Sequence, residues 1–374
     1  MTNVLYHEVS PSNDNSTGFK EFNTIDWELL ADGRKLLKNS ITIEADIEVE
    51  SAVGTPVVVG SVIGVDHRIG FHSCFESWTT EAKGQMLENL NDYPRYVSMV
   101  TAATMDENDF CDAKAQAEGR QVTEAAARYV IQPQRIRNKN ASSTAHVNSA
   151  NFSIEPKICF NSVVGDDYSF SKNGAIRISC NVARNNSALF GKGSATAVFT
   201  LKNVKLSFMS IPDDGSQSAM MMNSVVSVKS AVNSQSANIS AKVPAAASNG
   251  VIISFVKQSN ENSTTENSYA LEKFPNLDEV QYLFSDSTSK YVSYIIDDKG
   301  EMVQRGLDAL TDSGENQVSG DKFASNEGHI IGLSFEEYID LRQQKFSVQL
   351  KTSATDISAN PRLVYLYFLN LLQL

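Results

Sequence analysis

The chain has 374 residues, of which 41% are hydrophobic and 20% charged. That is enough apolar material for a buried core and too few charges for a disordered chain, and the length suits two domains or one large one. Its 32 Lys and Arg stand against 44 Asp and Glu, a net charge of -12. Non-specific coating of nucleic acid is excluded, because the phosphate backbone would repel the chain; any genome contact needs a local basic patch. Composition also argues against collagen, a coiled coil, a disulfide scaffold and a membrane-spanning protein.

Residues 1–18 are polar and aperiodic and read as a flexible arm. From Ile41 to Val49 the run ITIEADIEV alternates apolar and charged residues, which predicts a half-buried strand. Residues 56–65 read as a second strand region broken at Gly60, and 71–80 (FHSCFESWTT) as a third. The period then changes. Met86, Leu90, Tyr93, Val97 and Val100 recur at spacings of three or four, predicting a helix over 85–103 interrupted at Pro94, which lacks an N–H. Residues 106–127 read as a second helix or a loop, and 135–149 as a polar, basic loop. Strands return at 152–160, 175–182 and 196–209. In the last, alternation slips around Asn203, which predicts a bulge or a break into two strands. The breakers from Ile211 to Ser216 mark a domain boundary.

The second half predicts strands at 225–232, 237–243 and 251–257, a polar surface loop at 258–268, and strands at 279–284 and 290–296. A helix follows at 301–310, then a turn-rich loop at 311–328, and strands at 329–333, 345–352 and 362–372. In the closing strand Leu363, Tyr365, Tyr367 and Leu369 alternate with Val364, Leu366 and Phe368, so both faces are apolar and the strand should be buried on both sides. It is too short for a helical membrane span, which takes about 20 residues.

The halves echo each other. FHSCFESWTT, Lys83-Gly84 and QMLENL in the first are matched by VQYLFSDSTS, Lys299-Gly300 and EMVQRGLDAL in the second. AIRISCNV is matched by KFSVQL, and FTLKNVKLSF by RLVYLYFLN. Each half is large enough for an eight-stranded jelly roll with a helical insertion. The fold class expected is therefore all-β: two tandem antiparallel jelly-roll β-sandwiches with short helical insertions. The arm would cover 1–18, the N-terminal roll 19–212 and the C-terminal roll 217–374.

The search for chemistry comes up empty, so no catalytic, cofactor-binding or metal residue is assigned. Cys74, Cys111, Cys159 and Cys180 are far apart and form no CxxC pair, and read as free, mostly buried thiols. The N-terminus has neither the basic nor the apolar region of a secretory signal, so the Asn-x-Ser/Thr sequons are incidental. His7, His67, His72, His146 and His329 form no HExxH; His67 and His72 should lie on opposite faces of a strand. No GxSxG, P-loop or GxGxxG is present, and Gly191-Lys192-Gly193-Ser194 reads as a glycine turn. Asp106, Glu107 and Asp109, or Glu336, Glu337 and Asp340, read first as solvated surface, with calcium at a subunit contact as the sharper alternative. Arg128, Arg135, Arg137 and Lys139 make a basic cluster that suits a solvated loop, a neighbouring subunit, or contact with an internal membrane or a genome. Met220, Met221 and Met222 read as apolar packing opening the second domain, and Trp27 and Trp78 as core or interface anchors.

Residues 66–104 (DHRIGFHSCFESWTTEAKGQMLENLNDYPRYVSMVTAAT) resemble a segment of the jelly-roll capsid proteins of tailless icosahedral DNA viruses. The close, from Ile330-Ile331-Gly332-Leu333 through KFSVQLKTS to LVYLYFLNLL, is similar to the end of the second roll in that family. The resemblance implies a double jelly-roll shell protein located in the virion. Its partners would be itself, as homotrimers tiling against neighbouring capsomers, and other capsid proteins at the vertices. It implies no enzyme activity, no cofactor and no small-molecule substrate. A minor or vertex (penton) protein lies within the same pattern. Outside it stand a tandem β-sandwich carbohydrate-binding protein, disfavoured by only two Trp and no export signal, and a cupin-like enzyme, for which the His spacing supplies no ligand set.

Overall fold

The computed structural model describes residues 3–56, 63–104, 113–120, 137–138, 148–189, 196–216, 220–285, 291–312 and 330–374. In the first half the strands are β1 (Leu5–Val9), β2 (Thr24–Leu29), β3 (Arg34–Leu36), β4 (Thr42–Ala52), β5 (Thr55–Pro56), β6 (Phe75–Ala82), β7 (Gln85–Leu90), β8 (Arg137–Asn138), β9 (Asn148–Ile154), β10 (Tyr168–Ser169), β11 (Ile176–Val182) and β12 (Val198–Pro212). In the second they are β13 (Met221–Val232), β14 (Ser236–Ala241), β15 (Ser248–Lys257), β16 (Leu277–Ser285), β17 (Tyr291–Ile296), β18 (Ile331–Ile339), β19 (Lys345–Thr352) and β20 (Arg362–Gln373). The helices are α1 (Tyr93–Thr104), α2 (Ala113–Ala117), α3 (Phe170–Asn173), α4 (Asn185–Ala188) and α5 (Lys299–Asp312).

One sheet runs β10-β3-β12-β4-β9-β8, with β1 on the far side of β12; Ser210 pairs with Leu5 on one side and Leu36 on the other. A second sheet runs β18-β15-β20-β13-β7-β6-β11-β2, and a third β14-β19-β16-β17. Two orders therefore occur twice. β1-β12-β4-β9 is matched by β13-β20-β15-β18, and β2-β11-β6-β7 by β14-β19-β16-β17. Setting aside the short β3, β5, β8 and β10, each half joins its first, eighth, third and sixth strands in one sheet and its second, seventh, fourth and fifth in another. That is the Greek-key order of a jelly roll, present twice.

The rolls are fused through the second sheet, where β13 lies parallel to β7 at Val226 and Asn89. β20 is a partition. Leu363, Tyr365, Tyr367 and Leu369 enter the core shared with the first half, while Val364, Leu366 and Phe368 enter the second core. β15 divides the same way, with Ile252 and Val256 on one side and Val251, Ile253 and Phe255 on the other. The closing strand is thus buried on both faces, as its double apolar pattern requires.

ITIEADIEV forms β4, with Ile43, Ala45, Ile47 and Val49 buried and the acids between them half exposed. Asn203 does carry a bulge: its φ is +50° and the β12–β4 register shifts between Lys202 and Lys205.

Several expectations need correcting. The first 18 residues are not a free arm: Leu5–Val9 pairs antiparallel with Leu206–Ser210 as the first strand of the first roll. QMLENL is not helical but β7, a hairpin partner of β6. Lys83 and Gly84 take φ of +52° and +70°, the two left-handed residues of a tight hairpin turn, so the helical spacing of Met86 and Leu90 is coincidental. The duplication accordingly aligns QMLENL with YVSYII (β17), not with the EMVQRGLDAL helix. Residues 70–74 are a 3-10 turn preceding β6 rather than part of a strand. Pro94 does not interrupt a helix but sits in the first turn of α1, where its missing N–H has no intrahelical partner to lose.

Of 56–65, residues 57–62 lie outside the described residues. So do most of 106–127, all of 139–147 and nearly all of 311–328. Arg137 and Asn138 pair with β9 instead of continuing the loop expected at 135–149.

Candidate functional site

Among the described residues the densest buried polar chemistry lies where the rolls meet. β7 carries Glu88 into the interior, where its carboxylate accepts the Cys159 N–H at 2.9 Å and, from the second roll, the Val225 N–H at 3.0 Å. Burial pushes this carboxyl up to about 7, and the two amides pull the other way. Thr80 Oγ1 lies 3.1 Å from Cys159 Sγ.

α1 supplies the second set of links. Arg95, in its first turn, donates to the carbonyls of Ser268 and Ala270, and its guanidinium stands 4.7 Å from the Tyr365 ring centroid. Ser98 donates to the Tyr269 carbonyl at 2.9 Å, and the Tyr367 hydroxyl donates to the Asp92 carbonyl at 3.0 Å. Asp66 accepts the Arg68 and Ile69 N–H groups at 2.8 and 3.0 Å and the Asn267 side-chain amide. Burial pushes the Asp66 carboxyl up, but His67, Asn267 and the backbone N–H groups outweigh it and hold it below the usual range. The run 258–268, expected as a polar surface loop, thus ends docked against the first roll, with Asn267 and Ser268 buried.

Within the first roll, the Tyr93 hydroxyl accepts the Lys157 N–H at 3.1 Å and lies 2.7 Å from His72 Nδ1. His72 Nε2 faces Glu118 at 3.8 Å, and Glu118 is paired with Arg120 at 2.6 Å. Burial lowers the His72 pKa; burial alone would raise Glu118, but His72 and Arg120 bring it to about 2. The ring is a buried strut between a phenol and an ion pair.

Among the described residues, the cysteines, histidines and acids singled out in sequence are not brought together into one group. Cys74, Cys159 and Cys180 are buried and free, and burial pushes their thiols up, Cys74 to about 12; none is a ready thiolate. Cys111 lies outside the described residues. His7 stacks on Phe208 at 4.6 Å and meets Ser210 Oγ at 2.7 Å. His67 and His72 occupy a turn and the 3-10 segment, so the opposite-face argument does not apply. His146, His329, Gly191-Lys192-Gly193-Ser194, Asp106, Glu107, Asp109, Arg128, Arg135 and Lys139 lie outside the described residues. Glu337 is exposed and Asp340 pairs with Arg342 at 2.7 Å. Among the described residues no three His, Cys, Asp or Glu side chains form a group able to hold a metal. Trp27 and Trp78 stack in the core with centroids 6.3 Å apart. Met220 and Met222 are buried where β13 begins. Sequence reasoning missed Glu88, Asp66 and Arg95; for Arg95 the signal available was the single charged residue of an otherwise uncharged, largely apolar helix.

No protein-family model matches the chain, and no curated protein is similar to it in sequence. Solved structures are similar to it in fold. The Faustovirus major capsid protein superposes with a TM-score of 0.64 at 10% identity, covering 100% of this chain and 90% of that one. PBCV-1 VP54, fitted into a reconstruction of the virophage Sputnik, gives 0.59 at 10% identity, covering 100% and 95%. The mavirus major capsid protein gives 0.51 at 7% identity, covering 97% and 86%. The fold is the double jelly roll found in these capsid proteins.

Proposed function

We propose that this chain is a structural capsid protein that assembles as homotrimers, each presenting six rolls as a pseudo-hexagonal tile of an icosahedral shell. The observation that carries the reading is the end-to-end match: 100% of the chain lies on 90% of the Faustovirus major capsid protein, so both rolls take part in it. The interior supports it. The buried polar groups at the joint are engaged in holding one roll against the other, as a load-carrying subunit requires. In this reading the chain acts without catalysis or cofactor, resides in the virion, and divides at the turn 213–216, where Lys35 grips Asp214 at 2.6 Å. The arginine-rich stretch from Arg128 to Lys139 is its contact with a neighbouring subunit, membrane or genome.

Quantifying the chain in purified particles tests the proposal. A major shell protein should outnumber every other shell component. A small, vertex-limited copy number would assign it to the penton instead, and absence from particles would overturn the reading.

A further inference from the structure

One cavity takes no part in holding the rolls together. Its volume is about 370 Å³, and it opens at one end of the first roll, between the turn before β2, the segment after β11 and the start of β12. Its walls include Glu21, Phe22, Arg184, Asn186 and Thr196, with Asn262 contributed by the second roll. A space of this size falls within the range of pockets that hold a small molecule.

Phe22 is its unusual member. Its φ is +66°, a conformation that glycine and asparagine take readily and a bulky side chain takes only under strain. The other described non-glycine residues at positive φ are Asn, Asp or Lys. Backbone pairing leaves the turn no latitude. The Phe22 N–H donates to the Val182 carbonyl at 3.0 Å and the Asn23 N–H to the Lys20 carbonyl at 3.0 Å, while Asn23 Oδ1 accepts the Lys20 N–H at 2.8 Å. The ring enters neither core and is 64% exposed. Strain kept by rigid surroundings at the wall of a cavity points to use of the side chain, not to packing.

The polar walls complement the ring. The Arg184 guanidinium stands 5.4 Å from the Phe22 ring centroid and makes no ion pair among the described residues. Glu21 uses Oε2 to accept the Asn185 N–H at 3.1 Å, which leaves Oε1 as a further acceptor. Asn262 accepts the Ser187 hydroxyl through Oδ1, which leaves its NH₂ to donate. An aromatic face thus stands beside a charged donor, a charged acceptor and an amide. A sugar ring has the matching layout: a face of C–H groups that lies on an aromatic ring, and a rim of hydroxyls that both donate and accept. The opposite charges of Glu21 and Arg184 balance, which suits a neutral sugar over an anion.

We propose that this cavity binds a neutral hexose, free or at the end of a glycan, with Phe22 against its C–H face and Arg184, Glu21 and Asn262 at its hydroxyls. The inference goes beyond the shell-building reading and does not depend on it.

Saturation-transfer NMR and calorimetry with the methyl glycosides of glucose, galactose, mannose and N-acetylglucosamine test it, at up to about 10 mM to register millimolar affinities. At least one should bind the wild-type chain. Phe22→Asn and Arg184→Ala should each weaken that binding by about tenfold or more, the effect of losing one good contact. Asparagine suits the backbone of the turn, so the thermal midpoint of Phe22→Asn should equal or exceed that of wild type, which separates lost binding from lost fold. The methyl glycoside of glucuronic acid should bind more weakly than the neutral sugars, because Glu21 repels its carboxylate. The inference is overturned if no neutral sugar binds, if both variants bind as wild type does, or if only the glucuronic acid derivative binds. Each of these results leaves the capsid reading standing.

Discussion

Tyr367 and Phe368 are successive residues of β20, yet Tyr367 belongs to the core shared with the first roll and Phe368 to the second core. A change on one face of this strand should therefore be felt on the other. Phe368→Ala removes a fully buried ring and should cost about 3–5 kcal/mol. The two tryptophans, Trp27 and Trp78, lie in the first-roll core, whereas Phe368 lies in the second core. Their fluorescence should still report a lower urea midpoint in the variant. An unchanged tryptophan transition would mean that the rolls unfold independently.

Glu88 should make stability fall with rising pH. Its carboxyl is pushed up to about 7 in the folded chain, against about 4.3 for an unfolded glutamate. Between these values the folded state keeps a proton that the unfolded state has lost. The contribution is therefore fully present below about pH 4.3 and gone above about pH 7, a loss on the order of 3 kcal/mol. Glu88→Gln fixes the neutral form. Urea midpoints at about pH 5 and about pH 8 should show the variant gaining on wild type at the higher pH, and a constant gap would refute this.

Gly70 has φ of +56°, and a Cβ there would lie 2.0 Å from the Glu118 carbonyl oxygen. That carbonyl accepts the Phe71 N–H at 2.8 Å and belongs to backbone, so it cannot swing aside. Gly70→Ala should destabilise by well over the ~1 kcal/mol typical of a glycine replacement at positive φ. Thermal unfolding gives the measurement, with Gly84→Ala as control: it shares the positive φ but has nothing within 4 Å of the added methyl.

Deleting residues 1–10 should lower the thermal midpoint of the first roll, because it strips β1 from β12 and removes His7 from the Phe208 face. Retention of the wild-type midpoint would show that β1 adds nothing to the fold.

That deletion bears on what the sequence could reveal. β4 and β20 were legible because burial imposes a pattern, on one face at Ile43, Ala45, Ile47 and Val49, and on both faces from Leu363 to Leu369. Asn203 was legible because a residue suited to positive φ coincided with a slip in alternation. β1 was not, since LYHEV is largely exposed and buries no side chain completely; an edge strand held by backbone pairing leaves no hydrophobic period. QMLENL misled because its polar residue Glu88 is buried and its apolar Met86 is 60% exposed, the reverse of ordinary patterning. Asn267 and Asp66 meet across 201 positions of sequence, and no local rule links an asparagine in a polar run to a distant aspartate.

The partition strand has a consequence for how the chain comes off the ribosome. β1 waits for β12, and β13 waits for its long antiparallel partner β20. Until Arg362–Gln373 emerges, the faces of β13 and β15 that flank it have no wall between them. Pairings this distant along the chain form slowly and leave apolar edges open meanwhile. A nascent chain is thus vulnerable to aggregation until Arg362–Gln373 has emerged, and a chain interrupted before this strand leaves both cores without their shared wall rather than one finished roll and a tail.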